Sequence, residues 1–99
     1  MQLKIKVLWL KNVLGCAINQ EGVKGSYQLT PFYFWPKTEA WEQIKLELDS
    51  KNWLSNDEKV KTLNLITAVM NHWKSFRNSE EFSTLKKNLP EVDFVKIGD

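Results

Sequence analysis

The sequence is poor in the residue types that carry most enzyme chemistry. Its 99 residues include one cysteine, one histidine and a single arginine, Arg77. A lone Cys16, set in an apolar run, excludes an internal disulfide framework and is typical of a protein kept in a reducing compartment. Cys16 and His72 fall on different predicted elements and share no spacing with acidic partners that suits a metal site or an activated nucleophile. We therefore predict no metal, no cofactor and no enzymatic activity.

Long apolar runs and a large excess of one charge are also absent. No run of about 20 apolar residues is present that would span a bilayer, so no membrane association is predicted. The amino terminus, MQLKIKVLWLK, lacks the regions of a signal peptide and is typical of a mature strand. The net charge is only +2. A protein that binds phosphate alone is usually far more basic, so we expect any contact with RNA to be shared with protein contacts.

Aromatic residues, in contrast, are plentiful. Five Trp, five Phe and two Tyr supply bulk to a chain of 99 residues, which as one small domain buries only about 60–65% of its unfolded surface. We predict a single domain over residues 1–99. Its parts are a β-rich part over residues 1–36, a helical hairpin over 37–78, and a short helix with an extended tail over 79–99.

The first part of the chain shows the alternation of a β-hairpin. Apolar residues alternate with others over residues 3–10, which predicts a half-buried strand with Lys4 and Lys6 on one face. Asn tolerates the backbone conformations of tight turns, so residues 11–12 predict a turn. Residues 13–19 then predict the second strand.

The next segment combines turn residues with aromatic ones. Residues 20–31, QEGVKGSYQLTP, hold two glycines and a proline without apolar periodicity, and they predict an exposed loop. Residues 32–35 predict a third strand that ends at Pro36, because proline cannot donate a ladder hydrogen bond.

Two helices follow with different start signals. Thr38 is the predicted N-cap of a helix that ends at Asp49. Ser55 and Glu58 fit the capping box, in which each side chain satisfies an orphan backbone N–H, and they predict a helix to about Asn78.

The elements combine into an α+β fold. We predict a small antiparallel three-stranded sheet packed against two antiparallel helices, with a short third helix over residues 79–90. Large apolar residues on the inward faces are predicted to form the core: Trp9, Phe34, Trp41, Ile44, Trp53, Leu63, Met70 and Trp73.

The aromatic run at the third strand has two faces. Phe32 and Phe34 share one face and are predicted to pack on the helices, with Trp53 tucked beneath both helices. Tyr33 and Trp35 then face outward as a docking site for RNA bases or a neighbouring protein. The predicted RNA- or protein-binding residues are Lys4, Lys6, Lys11, Lys24, Tyr33, Trp35 and Lys37.

The same aromatic run carries a family resemblance. The stretch FWPKTEAWEQIKLELDSKNWLS (residues 34–55), preceded by KVLWL (6–10) and followed by NHW (71–73), closely resembles the plastid-specific ribosomal protein three family. The likeness covers about residues 3–74. It implies a non-catalytic component of the small ribosomal subunit in the plastid (chloroplast stroma) or in the cyanobacterial cytoplasm. Such a protein would contact ribosomal RNA and neighbouring ribosomal proteins as a monomer within the ribosome, with no small-molecule substrate.

The sequence also allows one alternative function. The same exposed aromatic surface would suit a free or ribosome-associated adaptor that holds a protein partner. An adaptor would bind with little dependence on salt, whereas a protein held by phosphate contacts would dissociate at high salt.

Overall fold

The fold is an α+β arrangement of one sheet and two helices, seen in a computed structural model that describes residues 2–75, 87–89 and 91–96. The predicted α+β class is confirmed. In chain order the elements are β1 (Gln2–Trp9), β2 (Leu14–Gly22), β3 (Gly25–Gln28), β4 (Tyr33–Trp35), α1 (Ala40–Asp49), α2 (Asn56–Ser75) and β5 (Val92–Lys96).

The sheet is larger than predicted and is mixed. Among the described residues, five strands run in the order β3-β2-β1-β5, with β4 also paired to β2. β1 and β2 form the predicted antiparallel hairpin, but β5 pairs with β1 in parallel. The three predicted strands are present as β1, β2 and β4 and pair antiparallel, but the prediction missed β3 and the parallel β5. Residues 92–96 were predicted only as an extended tail, because nothing local to them shows that they pair with residues 5–9.

The segment predicted as an exposed loop, residues 20–31, is also corrected. β2 continues to Gly22 and turns back into β3, where Gly25 adopts a positive φ of 134°. Backbone hydrogen bonds to β2 hold β3 in place, and all four residues of β3 are exposed, so this strand has no buried apolar face. Hydrophobic periodicity therefore could not reveal it.

Thr30 closes the edge of β2 between β3 and β4. The Ile18 N–H donates to Thr30 Oγ1 over 3.1 Å, and the Leu29 N–H donates to the Ile18 carbonyl over 2.8 Å. Thr30 is only 2% exposed. A threonine hydroxyl thus accepts the hydrogen bond that a strand carbonyl would accept elsewhere along this edge, which holds the chain between β3 and β4 in place.

The core lies between the helices and one face of the sheet. Alternate residues of β1 and β2 supply one side, and the inward stripes of α1 and α2 supply the other. Its buried members are Ile5, Val7, Trp9, Leu14, Cys16, Ile18, Ala40, Ile44, Leu48, Ile66, Val69, Met70, Trp73, Val92 and Phe94. Trp41 and Leu63 are partly buried against this cluster, and Trp41 Nε1 donates to the Leu63 carbonyl over 3.4 Å.

Trp53 does not belong to this core. It is 55% exposed, so the prediction that it tucks beneath both helices was wrong. The corner between α1 and α2 is closed by a hydrogen bond from the Leu54 N–H to the Lys51 carbonyl, and Leu54 packs against the core from it. The neighbouring residue in such a tight corner points away, which leaves the indole in solvent.

The amino-terminal ends of α1 and α2 are capped differently. Ser55 Oγ accepts the Glu58 N–H over 3.2 Å, so the Ser55 half of the predicted capping box is confirmed. The predicted Thr38 cap of α1 was wrong, because Glu39 is the N-cap and makes no side-chain cap hydrogen bond. The Thr38 hydroxyl and N–H instead both donate to the Phe34 carbonyl and close the turn after β4.

Two remaining predictions concern the end of the helical part. The extension of α2 from residue 75 to about 78 lies outside the described residues, and so does the third helix over 79–90, apart from 87–89. Within the described ranges, no helix has the length and apolar character needed to cross a membrane.

Candidate interaction surfaces

The aromatic residues of β4 alternate as predicted, but with the opposite phase. Tyr33 and Trp35 lie opposite fully buried residues of β2 and pack against the core, whereas Phe34 lies opposite Gly15 on the other face. The predictions of an outward Tyr33 and Trp35 and of a core Phe34 were therefore wrong. A three-residue strand with aromatic side chains on both faces carries no signal for which face is inward.

Tyr33 and Trp35 are used in internal contacts. Trp35 meets Trp73 edge to face, with ring centroids 5.6 Å apart. The Tyr33 hydroxyl donates to Glu47 Oε2 over 3.2 Å. Burial raises the pKa of the Tyr33 phenol above its ordinary value. The hydrogen bond to Glu47 and the negative charge of Glu47 raise this pKa further. These side chains tie β4 to α1 and α2.

The opposite face of the sheet is the main unpartnered surface in the described part of the chain. Both helices bury their inward residues with the other face, so no described helix covers this one. We call it the open face, and it comprises Lys4, Lys6, Leu8, Gly15, Ala17, Asn19, Glu21, Ser26, Gln28, Phe32, Phe34, Asp93 and Val95.

Strand pairing orders the open face in rows that run across the sheet. The first row is apolar and consists of Phe34, Gly15, Leu8 and Val95. The second row contains Ala17, Lys6 and Asp93, and the third contains Gln28, Asn19 and Lys4. Neighbouring rows are about 7 Å apart, because alternate residues of a strand are separated by two rises of about 3.4 Å. The surface therefore changes from apolar to polar within three rows.

An aromatic pair forms the apolar corner of the open face. The rings of Phe32 and Phe34 stack with centroids 6.5 Å apart and an interplanar angle of 30°. A Cβ added at Gly15 would come within 2.8 Å of Phe34 Cε1, so the Phe34 ring occupies the space above that glycine. Both phenylalanines are only partly buried.

A small polar pocket lies on the other part of the open face. Its volume is about 180 Å³, and it is lined by Lys4, Ile5, Lys6, Asn19, Glu21, Ser26 and Asp93. Lys4 and Lys6 form no ion pair with any described residue. The pocket thus places two ammonium groups beside the carboxylates of Glu21 and Asp93.

Three other lysines belong to segments that meet at the end of the sheet nearest the β1–β2 turn. Lys11 is in that turn, Lys37 follows β4, and Lys74 is near the end of α2, with all three exposed. The hydrogen bond from Trp73 Nε1 to the Leu10 carbonyl, 2.9 Å long, brings the α2 end to this turn. None of the three is in an ion pair among the described residues. We call this group the lysine end.

The remaining predicted site residue, Lys24, lies elsewhere. It is exposed at the turn of the β2–β3 hairpin, beside Val23, which is fully exposed. The predicted lysines are thus divided among the open face, the lysine end and the hairpin tip. Sequence reasoning missed Phe32 and Phe34 as surface residues, and the signal that identifies them is the pairing of β4 with Gly15.

Comparison with known proteins identifies the family of this chain. A model of the family described as "Plastid and cyanobacterial ribosomal protein (PSRP-3 / Ycf65)" matches residues 29–76. The "Small ribosomal subunit protein cS23" of Gracilaria tenuistipitata var. liui is 37% identical over 90 residues, covering 91% of each chain. The protein of that name from Cyanidium caldarium is 39% identical over 93 residues, covering 92% of each. The chain belongs to this family.

Membership of the PSRP-3 family extends to a cyanobacterial relative. The "Probable small ribosomal subunit protein cS23" of Synechococcus sp. (strain JA-3-3Ab) is 36% identical over 88 residues, covering 89% of each chain. The predicted resemblance, the plastid or cyanobacterial setting and the structural, non-enzymatic role are confirmed by these relationships. For a PSRP-3 protein, the surfaces described above are candidate contacts within a ribosome.

Proposed function

We propose that this chain is a non-catalytic component of the small ribosomal subunit that binds ribosomal RNA and neighbouring ribosomal proteins. Its family membership carries the proposal, because relatives that match over about nine-tenths of their length are named small ribosomal subunit proteins. A free adaptor function is not favoured by those relatives.

The lysine end is the surface best suited to the RNA backbone. Lys11, Lys37 and Lys74 are exposed and unpaired among the described residues, so their ammonium groups are available to phosphate. Lysine contacts phosphate as a flexible point charge and positions a protein without reading sequence. Lys24 at the hairpin tip adds a fourth such contact on a different side of the molecule.

The low net charge of +2 points to mixed contacts rather than RNA contacts alone. The exposed apolar residues Val23, Tyr27 and Trp53 are 106%, 61% and 55% exposed. Apolar side chains of this kind gain stability when a neighbouring protein covers them. We therefore expect neighbouring ribosomal proteins to cover Val23, Tyr27 and Trp53.

Sedimentation of native lysate tests the proposal. Quantitative mass spectrometry across a sucrose gradient should recover this protein one to one with known small-subunit proteins at low salt and release it at high salt. Recovery only at the top of the gradient in low salt would contradict the proposal and favour the adaptor.

A charge variant tests the role of the lysine end. Lys11→Gln, Lys37→Gln and Lys74→Gln combined should lower the salt concentration that releases the protein, with a loss of up to about one unit of salt slope for each phosphate contact. The matched control changes Lys45, Lys59 and Lys61 on the helices to Gln, and it should behave as the wild type. Equal effects of the two triple variants would assign the contribution to net charge alone.

A further inference from the structure

We propose that the open face binds an unpaired stretch of ribosomal RNA, with one base on the Phe32–Phe34 pair and the polar groups of the stretch directed to the pocket around Asn19. This inference rests on the proposed function and deepens it, because it assigns a ligand class to a surface that the lysine end does not include.

The aromatic corner supplies a stacking platform. The Phe32 and Phe34 rings are stacked on one another and only partly buried, beside the half-buried Leu8 and the exposed Val95. Aromatic side chains on the surface of a sheet are a recurring platform for unpaired bases, since every base has a π-face.

The pocket supplies a mixed set of donors and acceptors. Lys4 and Lys6 donate, Glu21 and Asp93 accept, and Ser26 does either. A surface meant for phosphate alone would not place two carboxylates among its lysines. The edge of a base and the 2′-hydroxyl of a ribose, in contrast, present donors and acceptors together.

The lining and the size of the pocket limit what it can hold. Asn19 lies in the same row as Lys4 and adds an amide to the lining. The pocket volume of about 180 Å³ admits one small polar group, because pockets for drug-sized ligands begin near 300 Å³.

The platform and the pocket occupy neighbouring rows of the open face. Phe34 lies in the first row on β4 and Lys6 in the second row on β1, with β2 between them. Strand and row spacings separate the two residues by about 12 Å, so the two parts would serve successive nucleotides. Double-stranded RNA is recognised mainly along its backbone and would not reach a platform of stacked rings. We therefore infer a single-stranded loop, bulge or end as the bound element.

Ultraviolet crosslinking of intact small subunits tests this assignment directly. Mass spectrometry should find ribosomal RNA nucleotides attached to peptides that contain Phe32, Phe34 or Lys6. Chemical crosslinks from these peptides to a ribosomal protein, with no RNA adduct, would overturn the inference while the proposed function stands. Absence of the protein from the subunit fraction at low salt would instead contradict the proposed function itself.

Binding of short RNA by the purified protein separates stacking from packing. Fluorescence anisotropy with a labelled single-stranded 12-mer should show that Phe34→Leu, which keeps an apolar side chain above Gly15, weakens binding about 5- to 100-fold, as expected for the loss of one stacked base. Leu46→Ala, which truncates an exposed apolar residue of α1 outside the open face, should leave binding unchanged. Equal affinities of the Phe34→Leu variant and the wild type would overturn the inference.

Further variants keep the test valid if Phe34→Leu impairs folding. Phe34→Trp retains an aromatic face, so it should bind as the wild type does. The single-stranded 12-mer should quench its fluorescence more than that of the wild type, which carries the five native Trp, whereas the same sequence as a duplex should not. Lys6→Gln should weaken binding severalfold, whereas Lys59→Gln on α2 should not. Unquenched fluorescence of the Phe34→Trp variant in the presence of the single strand would contradict a stacked base.

Discussion

The indole of Trp73 donates a hydrogen bond from Nε1 to the backbone carbonyl of Leu10 over 2.9 Å and joins residues 63 positions apart. The same ring meets Trp35 edge to face. One side chain therefore connects the end of α2, the β1–β2 turn and β4. This contact positions the lysine end, because Lys11 follows Leu10, Lys37 lies two residues after Trp35 and Lys74 follows Trp73.

Replacement of Trp73 by Phe should destabilise the whole domain. The change removes the hydrogen bond to Leu10 and part of the buried ring, and we expect the free energy of unfolding to fall by about 1–3 kcal/mol. Urea denaturation followed by far-UV circular dichroism measures the change. Trp53→Phe is the matched control and should stay within about 0.5 kcal/mol of the wild type, because that ring is mostly exposed. Equal losses for both variants would contradict the assigned role of Trp73.

Thr30→Val should also be destabilising, although it preserves shape. The substitution leaves the buried Ile18 N–H without its acceptor, and an unsatisfied buried donor costs about 1–3 kcal/mol. Thr67 provides the comparison, since its exposed hydroxyl donates to the Leu63 carbonyl within α2. Thr67→Val should change stability little. Thermal unfolding of the two variants measures the difference, and a Thr30→Val variant as stable as the wild type would show that the edge of β2 does not need this hydroxyl.

Local signals in the sequence were sufficient for part of the fold. The Ser55 and Glu58 capping residues predicted the start of α2, and the alternation over residues 3–10 predicted β1, because both features depend on neighbours within a few residues. The strand β5 could not be predicted in the same way. Its parallel pairing with β1 joins residues 92–96 to residues 5–9, and no local pattern encodes such a partner.

The candidate sites were predicted less well, for a related reason. Each lysine was identifiable as a basic residue, but Lys11 and Lys37 are grouped only by strand pairing and by the position of α2. The orientation of β4 depends on whether Phe34 or Tyr33 faces the glycine of β2. That choice is made by tertiary packing, since the four aromatic residues 32–35 give neither face a hydrophobic excess.

Cys16 should be unreactive in the folded protein and should make stability depend on alkaline pH. Burial raises the pKa of its thiol from 9.0 to about 12. Because the folded pKa exceeds the unfolded one, the contribution of the protonated thiol is fully present below pH 9 and is lost as the pH rises toward 12. Burial and Glu47 raise the pKa of Tyr33 as well, which adds a loss of the same sign at high pH.

Two measurements check the behaviour of Cys16. A thiol-specific reagent at pH 8 should react with the native protein only at the rate at which the chain opens, and at once in denaturant. The Cys16→Ala variant should be less stable at neutral pH, because a buried group is lost, but its stability should fall less between pH 9 and 11. Rapid labelling of the native protein, with no loss of secondary structure, would show that the thiol is accessible.

Gly15→Ala should reveal how the Phe34 ring is held on the open face. The new methyl group would lie 2.8 Å from Phe34 Cε1 and 3.2 Å from Leu8 Cβ, so the ring must move. Displacing packed side chains typically costs about 1–3 kcal/mol. A double-mutant cycle with Phe34→Ala isolates the contact, because Gly15→Ala should cost less when the ring is absent, with a coupling energy of about 0.5–3 kcal/mol.

Gly22→Ala supplies the control for this cycle. A Cβ at that position would meet only the Gly25 carbonyl oxygen at 3.7 Å, an ordinary contact, so the change should show no coupling to Phe34. If Gly15→Ala costs as much without the Phe34 ring as with it, the penalty comes from the strand backbone or from Leu8. In that case the ring is free to leave Gly15, and the platform that it forms with Phe32 is not fixed by the fold.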